Sequence, residues 1–117
     1  MYKSIEIGGQ TLDLLSNGAT PIYYQQIFGK DIVKGLVLAG EDRVIAVNMA
    51  PELAFVMMHQ ANKTDMSKLN FDMYVEWLEG FGSMDFVEGN DLIWEAYYGT
   101  MKTSVEPKKK GGAPKGK

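Results

Sequence analysis

His59 is the only histidine in this chain of 117 residues, and the chain has no cysteine. Those two facts bound its chemistry. A helical zinc site would want a second ligand four residues away, and those positions hold Phe55 and Lys63. A Ser-His-Asp relay or a cysteine nucleophile has almost no material to work with. The lack of cysteine also removes disulfides and fits a reducing compartment. Among the carboxylates, Glu41 with Asp42, or Glu76 with Glu79, could form an acid–base pair. Glu76 and Glu79 stand three apart on the polar side of an amphipathic segment, which is the pattern of a solvated face. Gly29, Gly35 and Gly40 form neither a P-loop nor a dinucleotide-binding turn. No catalytic residue, metal ligand or cofactor is therefore expected, and the chain reads as a binding protein rather than an enzyme.

The residue class that stands out is methionine together with aromatic rings: eight Met, six Tyr, five Phe and two Trp. Soft sulfur side chains and rings are what adaptable protein-binding surfaces use. A domain of about 100 residues hides only part of so much large apolar surface. Tyr23, Tyr24, Phe28, Met57, Met58, Trp77, Phe81 and Trp94 are the expected partner-binding set. Tyr24 and Trp77 in particular fall outside the expected core stripes.

The elements that must position these residues follow from periodicity. Residues 2–15 read as a β-hairpin: Ile5, Ile7, Leu12 and Leu14 alternate with Ser4, Glu6, Thr11 and Asp13 about Gly8-Gly9. That register sets Ile5 opposite Leu12. Ser16-Asn17-Gly18 is a turn. Thr20 as N-cap with Pro21 opens a helix that Gly29 stops. Asp31 caps a second helix ending near Gly40. Residues 41–63 have helical spacing but contain Pro51, so two helical segments with a kink are expected, with a strand over 43–47 as the alternative. Asn70 caps a helix whose Phe71, Tyr74, Val75 and Leu78 form one face, ended by Gly80. Asp85 or Asn90 starts the last helix, which carries Phe86, Ile93 and Tyr97 and closes at Gly99. The fold class is α+β, mainly α: an N-terminal hairpin packed on four to five helices.

Charge divides the chain. Residues 1–101 hold 14 Asp/Glu against six Lys/Arg, whereas residues 102–117 hold six Lys against one Glu. The first stretch is read as the globular domain and the second as a flexible Lys/Gly/Pro tail, too poor in apolar side chains to order itself. An acidic body does not suit a broad phosphate-binding footprint, so no nucleic-acid partner is expected. Residues 1–20 lack a continuous apolar run, and no segment approaches the ~18 apolar residues of a membrane span, so neither a signal peptide nor a membrane partner is expected.

Three segments taken in order resemble one family. They are Tyr23-Tyr24-Gln25-Gln26-Ile27-Phe28-Gly29-Lys30-Asp31, Leu53-Ala54-Phe55-Val56-Met57-Met58-His59-Gln60-Ala61, and Asn70-Phe71-Asp72-Met73-Tyr74-Val75-Glu76-Trp77-Leu78-Glu79-Gly80-Phe81. Following a short hairpin, they are similar to the tail assembly chaperones of long-tailed bacteriophages that infect Gram-positive bacteria, over about residues 2–100. The resemblance implies a protein that binds the tape-measure protein, keeps it soluble, and helps recruit tail tube protein through a longer frameshifted form. It implies work in the cytoplasm of the infected host, absence from the mature virion, and a possible homo-oligomer. Lys108-Lys109-Lys110-Gly111 requires A-rich codons, which suit a slippery site. The rival readings are another phage tail or head–tail connector component, a small metal-dependent hydrolase, and a DNA-binding regulator acting through its lysines.

Overall fold

The computed structural model describes the backbone of residues 2–105 and the side chains of residues 2–99. The basic tail expected over residues 102–117 lies, from residue 106 on, outside the described residues. The chain opens with strands β1 (Tyr2–Ile7) and β2 (Gln10–Leu15), then helices α1 (Thr20–Phe28), α2 (Ile32–Glu41) and α3 (Arg43–Ala61). A 3-10 turn (Met66–Lys68) leads to α4 (Phe71–Leu78), α5 (Asp85–Glu88) and α6 (Asn90–Val105). The class is mainly α with an antiparallel hairpin.

The hairpin has the register its alternation dictates, with Ile5 opposite Leu12 and Glu6 opposite Thr11. Gly8 and Gly9 both take positive φ, as a two-residue turn with the twist of its strands requires. Ile5, Ile7, Leu12 and Leu14 are all buried. They give the hairpin the apolar support that it lacks alone. Lys3 forms an ion pair with Glu95, which ties β1 to α6.

Helix α3 is the centre of the molecule, packing against β2, α2, α6 and α1. Leu53, Ala54, Phe55, Val56 and Met57 are five consecutive residues without exposed surface. A helix buried on every side has no polar face to set a 3.6-residue rhythm. This central position explains the departure from the expected pair of kinked segments. α3 runs as a single helix with Pro51 inside it, and no strand forms over 43–47. Asp42 caps it through the Val44 amide. One turn before the proline, the Ala46 carbonyl accepts the indole N–H of Trp94, so α6 braces α3 there.

Two further corrections are local. Thr20 is not the N-cap of α1; Ala19 holds that place. The Thr20 hydroxyl is buried and donates to Gln60 Oε1 at 2.7 Å, while Gln60 Nε2 donates to Asn17 Oδ1. The hydroxyl thereby pins the entry to α1 against the end of α3 instead of capping its own helix. Gly99 does not close the last helix, which continues to Val105 and so runs past the expected boundary at 101. Asp85 and Asn90 each start a helix, and this division brings the helix count to six rather than four or five. Gly29 and the Asp31 and Asn70 caps occur as expected.

Candidate functional site: two grooves beside the central helix

The eight expected binding residues divide by burial. Tyr24, Met57 and Trp94 are core residues, and this corrects their assignment to the partner surface. Tyr24 is buried because α1 turns it inward toward α3, where its hydroxyl donates to Glu52 Oε1 at 2.7 Å. Met57 belongs to the fully buried run of α3. Trp94 is spent on the brace to Ala46. Tyr23, Phe28, Met58, Trp77 and Phe81 are half-buried and pack on the edge of the core.

The half-buried rings join a continuous aromatic chain. Phe28 meets Tyr24 and Tyr74; Tyr74 meets Phe55; Phe55 meets Trp77; Trp77 meets Phe81 and Phe86. Centroid separations of 4.9–5.4 Å with tilted or edge-on planes are the favourable ring geometries. Sequence reasoning missed the residues that this chain carries to the surface. Phe71 is 54% exposed, Met84 56%, and Met73, Val75 and Val87 are each more than a third exposed. Phe71 and Val75 were expected in the core with Tyr74 and Leu78, yet of α4 only Tyr74 is buried. The signal was available: six of the eight residues of α4 are apolar, more than one core-facing stripe can use.

Two grooves flank α3, with Asn48 on the ridge between them. The first, about 560 Å³, lies between α1, α2 and α3. Gly35, Leu38, Ile45 and Met49 line it, and Tyr24, Lys30 and Glu52 form its polar end. Glu52 is buried, and Lys30 Nζ lies 2.8 Å from its Oε2. Burial and the adjacent Glu52 raise the Tyr24 ionisation far above its ordinary value, so this phenol stays a donor and is no base. The second groove, about 370 Å³, lies between α3, α4 and α5. Val47, Pro51, Leu78, Phe81 and Val87 form its walls, with buried Tyr74 and Phe86 beneath. Burial likewise raises the Tyr74 ionisation. Among the described residues no three His, Cys, Asp or Glu side chains gather as a metal site would require, and no helix is long and apolar enough to cross a membrane.

His59 sits beside this aromatic chain, its ring edge-on to Phe55 at 4.6 Å and its Nδ1 2.9 Å from the Thr64 hydroxyl. Burial lowers its pKa from the ordinary 6.5. The unfolded chain therefore binds this proton more readily than the folded one, so protonation favours unfolding. Urea midpoints are expected to fall as pH drops below 6.5 and to stop responding to this group below its depressed folded value. The difference between wild type and His59→Gln across that range isolates the effect; a difference independent of pH would contradict it.

No family model, curated protein or solved structure matches this chain.

Proposed function

We propose that this chain is an assembly chaperone that covers apolar helical stretches of a partner protein, and that the partner is the tape-measure protein of a long-tailed phage. The observation that carries the binding reading is the second groove, with the apolar walls Val47, Pro51, Leu78 and Phe81 and the exposed Val87 on its rim, together with the exposed Phe71, Met73 and Val75 of α4, the helix that supplies its Leu78 wall. Clustered exposed apolar side chains are a feature of interaction sites rather than of inert surfaces. A groove with apolar walls suits an amphipathic helix, whose apolar stripe it can cover. The identity of the partner rests on the family resemblance of residues 23–31, 53–61 and 70–81.

In this reading many copies line one long ligand, each holding weakly, and tube subunits later displace them. The acidic body keeps such coated complexes apart by repulsion. Work in the host cytoplasm, recruitment of tail tube protein by a longer form, and absence from the virion belong to the same proposal.

Co-expression tests it. The tape-measure protein encoded with this chain is expected to be mainly insoluble alone and soluble in its presence. Val75→Asp combined with Val87→Asp changes two exposed positions and is expected to abolish that rescue while leaving the chain's own melting curve nearly unchanged. Tape-measure solubility that ignores the chain would remove the proposal. Detection of the chain in purified virions by mass spectrometry would favour a retained tail component instead.

A further inference from the structure

Helix α2 presents a second apolar surface, away from the rim just described. It packs mainly on α3 and α1 through Ile32, Gly35, Leu36 and Ala39. Gly35 is there because a Cβ would stand 3.0 Å from the Met49 methyl. At 100° per residue these four positions occupy one side of the helix. The other side carries Val33 (64% exposed) and Val37 (58%), with Lys34 and Glu41 beside them and Leu38 (40%) at the lip of the first groove. Val44, at the start of α3, extends the patch and is 67% exposed.

We propose that a second copy of this chain covers this face, with the two α2 helices antiparallel about a twofold axis near Val37 and Leu38. The charges carry the choice of occupant and of direction. Lys34 and Glu41 are both exposed, and neither has an ion-pair partner among the described residues. They are equidistant from the midpoint between Val37 and Leu38. In an antiparallel pair centred there, Lys34 of each copy faces Glu41 of the other, and Val37 and Leu38 of both copies surround the axis. A parallel pair would set lysine against lysine and glutamate against glutamate. The surface is thus complementary to itself, as a twofold interface must be. Ten residues make a contact only about 15 Å long. The interface is therefore small and the dimer weak, in the class of transient contacts.

Sedimentation equilibrium of the full chain at low ionic strength, from about 1 µM to about 1 mM, reads the result. Wild type is expected to pass from monomer toward dimer across that range. Lys34→Glu alone and Glu41→Lys alone each replace two attractive pairs by two repulsive ones, and each should raise the dissociation constant about tenfold. An equimolar mixture of these two variants should recover association, because the heterodimer restores opposite charges at both contacts. Val37→Asp should remain monomeric throughout. All three changed positions are exposed, so melting curves that match wild type confirm intact folding. A wild-type chain that is monomeric at ~1 mM overturns the proposal and leaves the face to a different partner. A dimer that ignores these substitutions, or a mixture that does not recover, overturns it as well.

Discussion

Phe55→Ala is expected to destabilise this protein by about 3–5 kcal/mol, the range for emptying a large aromatic site in a close-packed core. Few positions concentrate so much. The ring has no exposed surface, sits in the middle of the fully buried run of α3, and touches Tyr74, Trp77 and His59 at centroid distances of 5.4, 5.4 and 4.6 Å. Its loss leaves a cavity bounded by rings that are themselves held by other rings, so collapse into the space is limited. Domains of this size have a total stability of about 5–15 kcal/mol, so the variant should stand near the threshold of folding. A melting temperature lower by about 15 °C or more checks it, or a urea midpoint lower by a comparable share. The second groove should be lost before the fold is. Tyr74 forms its floor and Leu78 its wall, and both are carried by α4, which rests on Phe55. A partner-solubilising assay on Phe55→Ala should therefore fail at temperatures where circular dichroism still reports helix. Phe55→Leu, which retains most of the apolar volume, should lie between the two.

Where the local rule is also the whole rule, the sequence was a sufficient guide. The hairpin register needs only alternation and two glycines, and Ile5 pairs with Leu12 accordingly. Asp31 and Asn70 cap their helices because a short acceptor before an apolar run has one good use. The misplacements share a different cause, which is that a neighbour remote in sequence claims the group. Thr20 does not cap α1 because its hydroxyl oxygen accepts from the Asn17 amide while its proton goes to Gln60. Pro51 would part α3 in an isolated peptide, but the helix is enclosed by β2, α1, α2 and α6. Tyr24 falls outside the expected core stripe of α1, yet it is buried, with its hydroxyl donating to Glu52, 28 residues away. The exposed side chains of α4 were misjudged for the opposite reason. Phe71 and Val75 have the spacing of a core stripe, but the core side of an eight-residue helix at the edge of the molecule is filled by Tyr74. Both grooves lie between separate helices, so their existence depends on helix packing that periodicity does not report.

The contact between Tyr24, Glu52 and Lys30 gives the other large effect, and it separates stability from the shape of the first groove. Glu52→Leu leaves the Tyr24 hydroxyl, in a residue only 2% exposed, without the acceptor it has at 2.7 Å. An orphaned buried donor costs about 1–3 kcal/mol, while Lys30, with more than half its side chain in solvent, is released to water at little cost. Glu52→Leu alone is therefore expected to lose about 2 kcal/mol, and Tyr24→Phe alone about 1 kcal/mol. The double variant Tyr24→Phe with Glu52→Leu removes donor and acceptor together and buries an apolar pair in their place. It should recover most of the loss, because a buried charged contact is weak evidence of stabilisation compared with well-packed apolar substitutes. Urea denaturation of the four proteins closes the cycle, and a double variant as unstable as the sum of the singles would refute the coupling. If the cycle closes as expected, the triad does not stabilise the chain beyond what leucine and phenylalanine could. Its effect is then geometric. Glu52 holds α1, the Lys30 turn and α3 in one relation, and that relation sets the polar end of a groove whose other walls are Leu38, Ile45 and Met49. The double variant should fold as well as wild type while any ligand of this groove that depends on the charged end binds it less tightly.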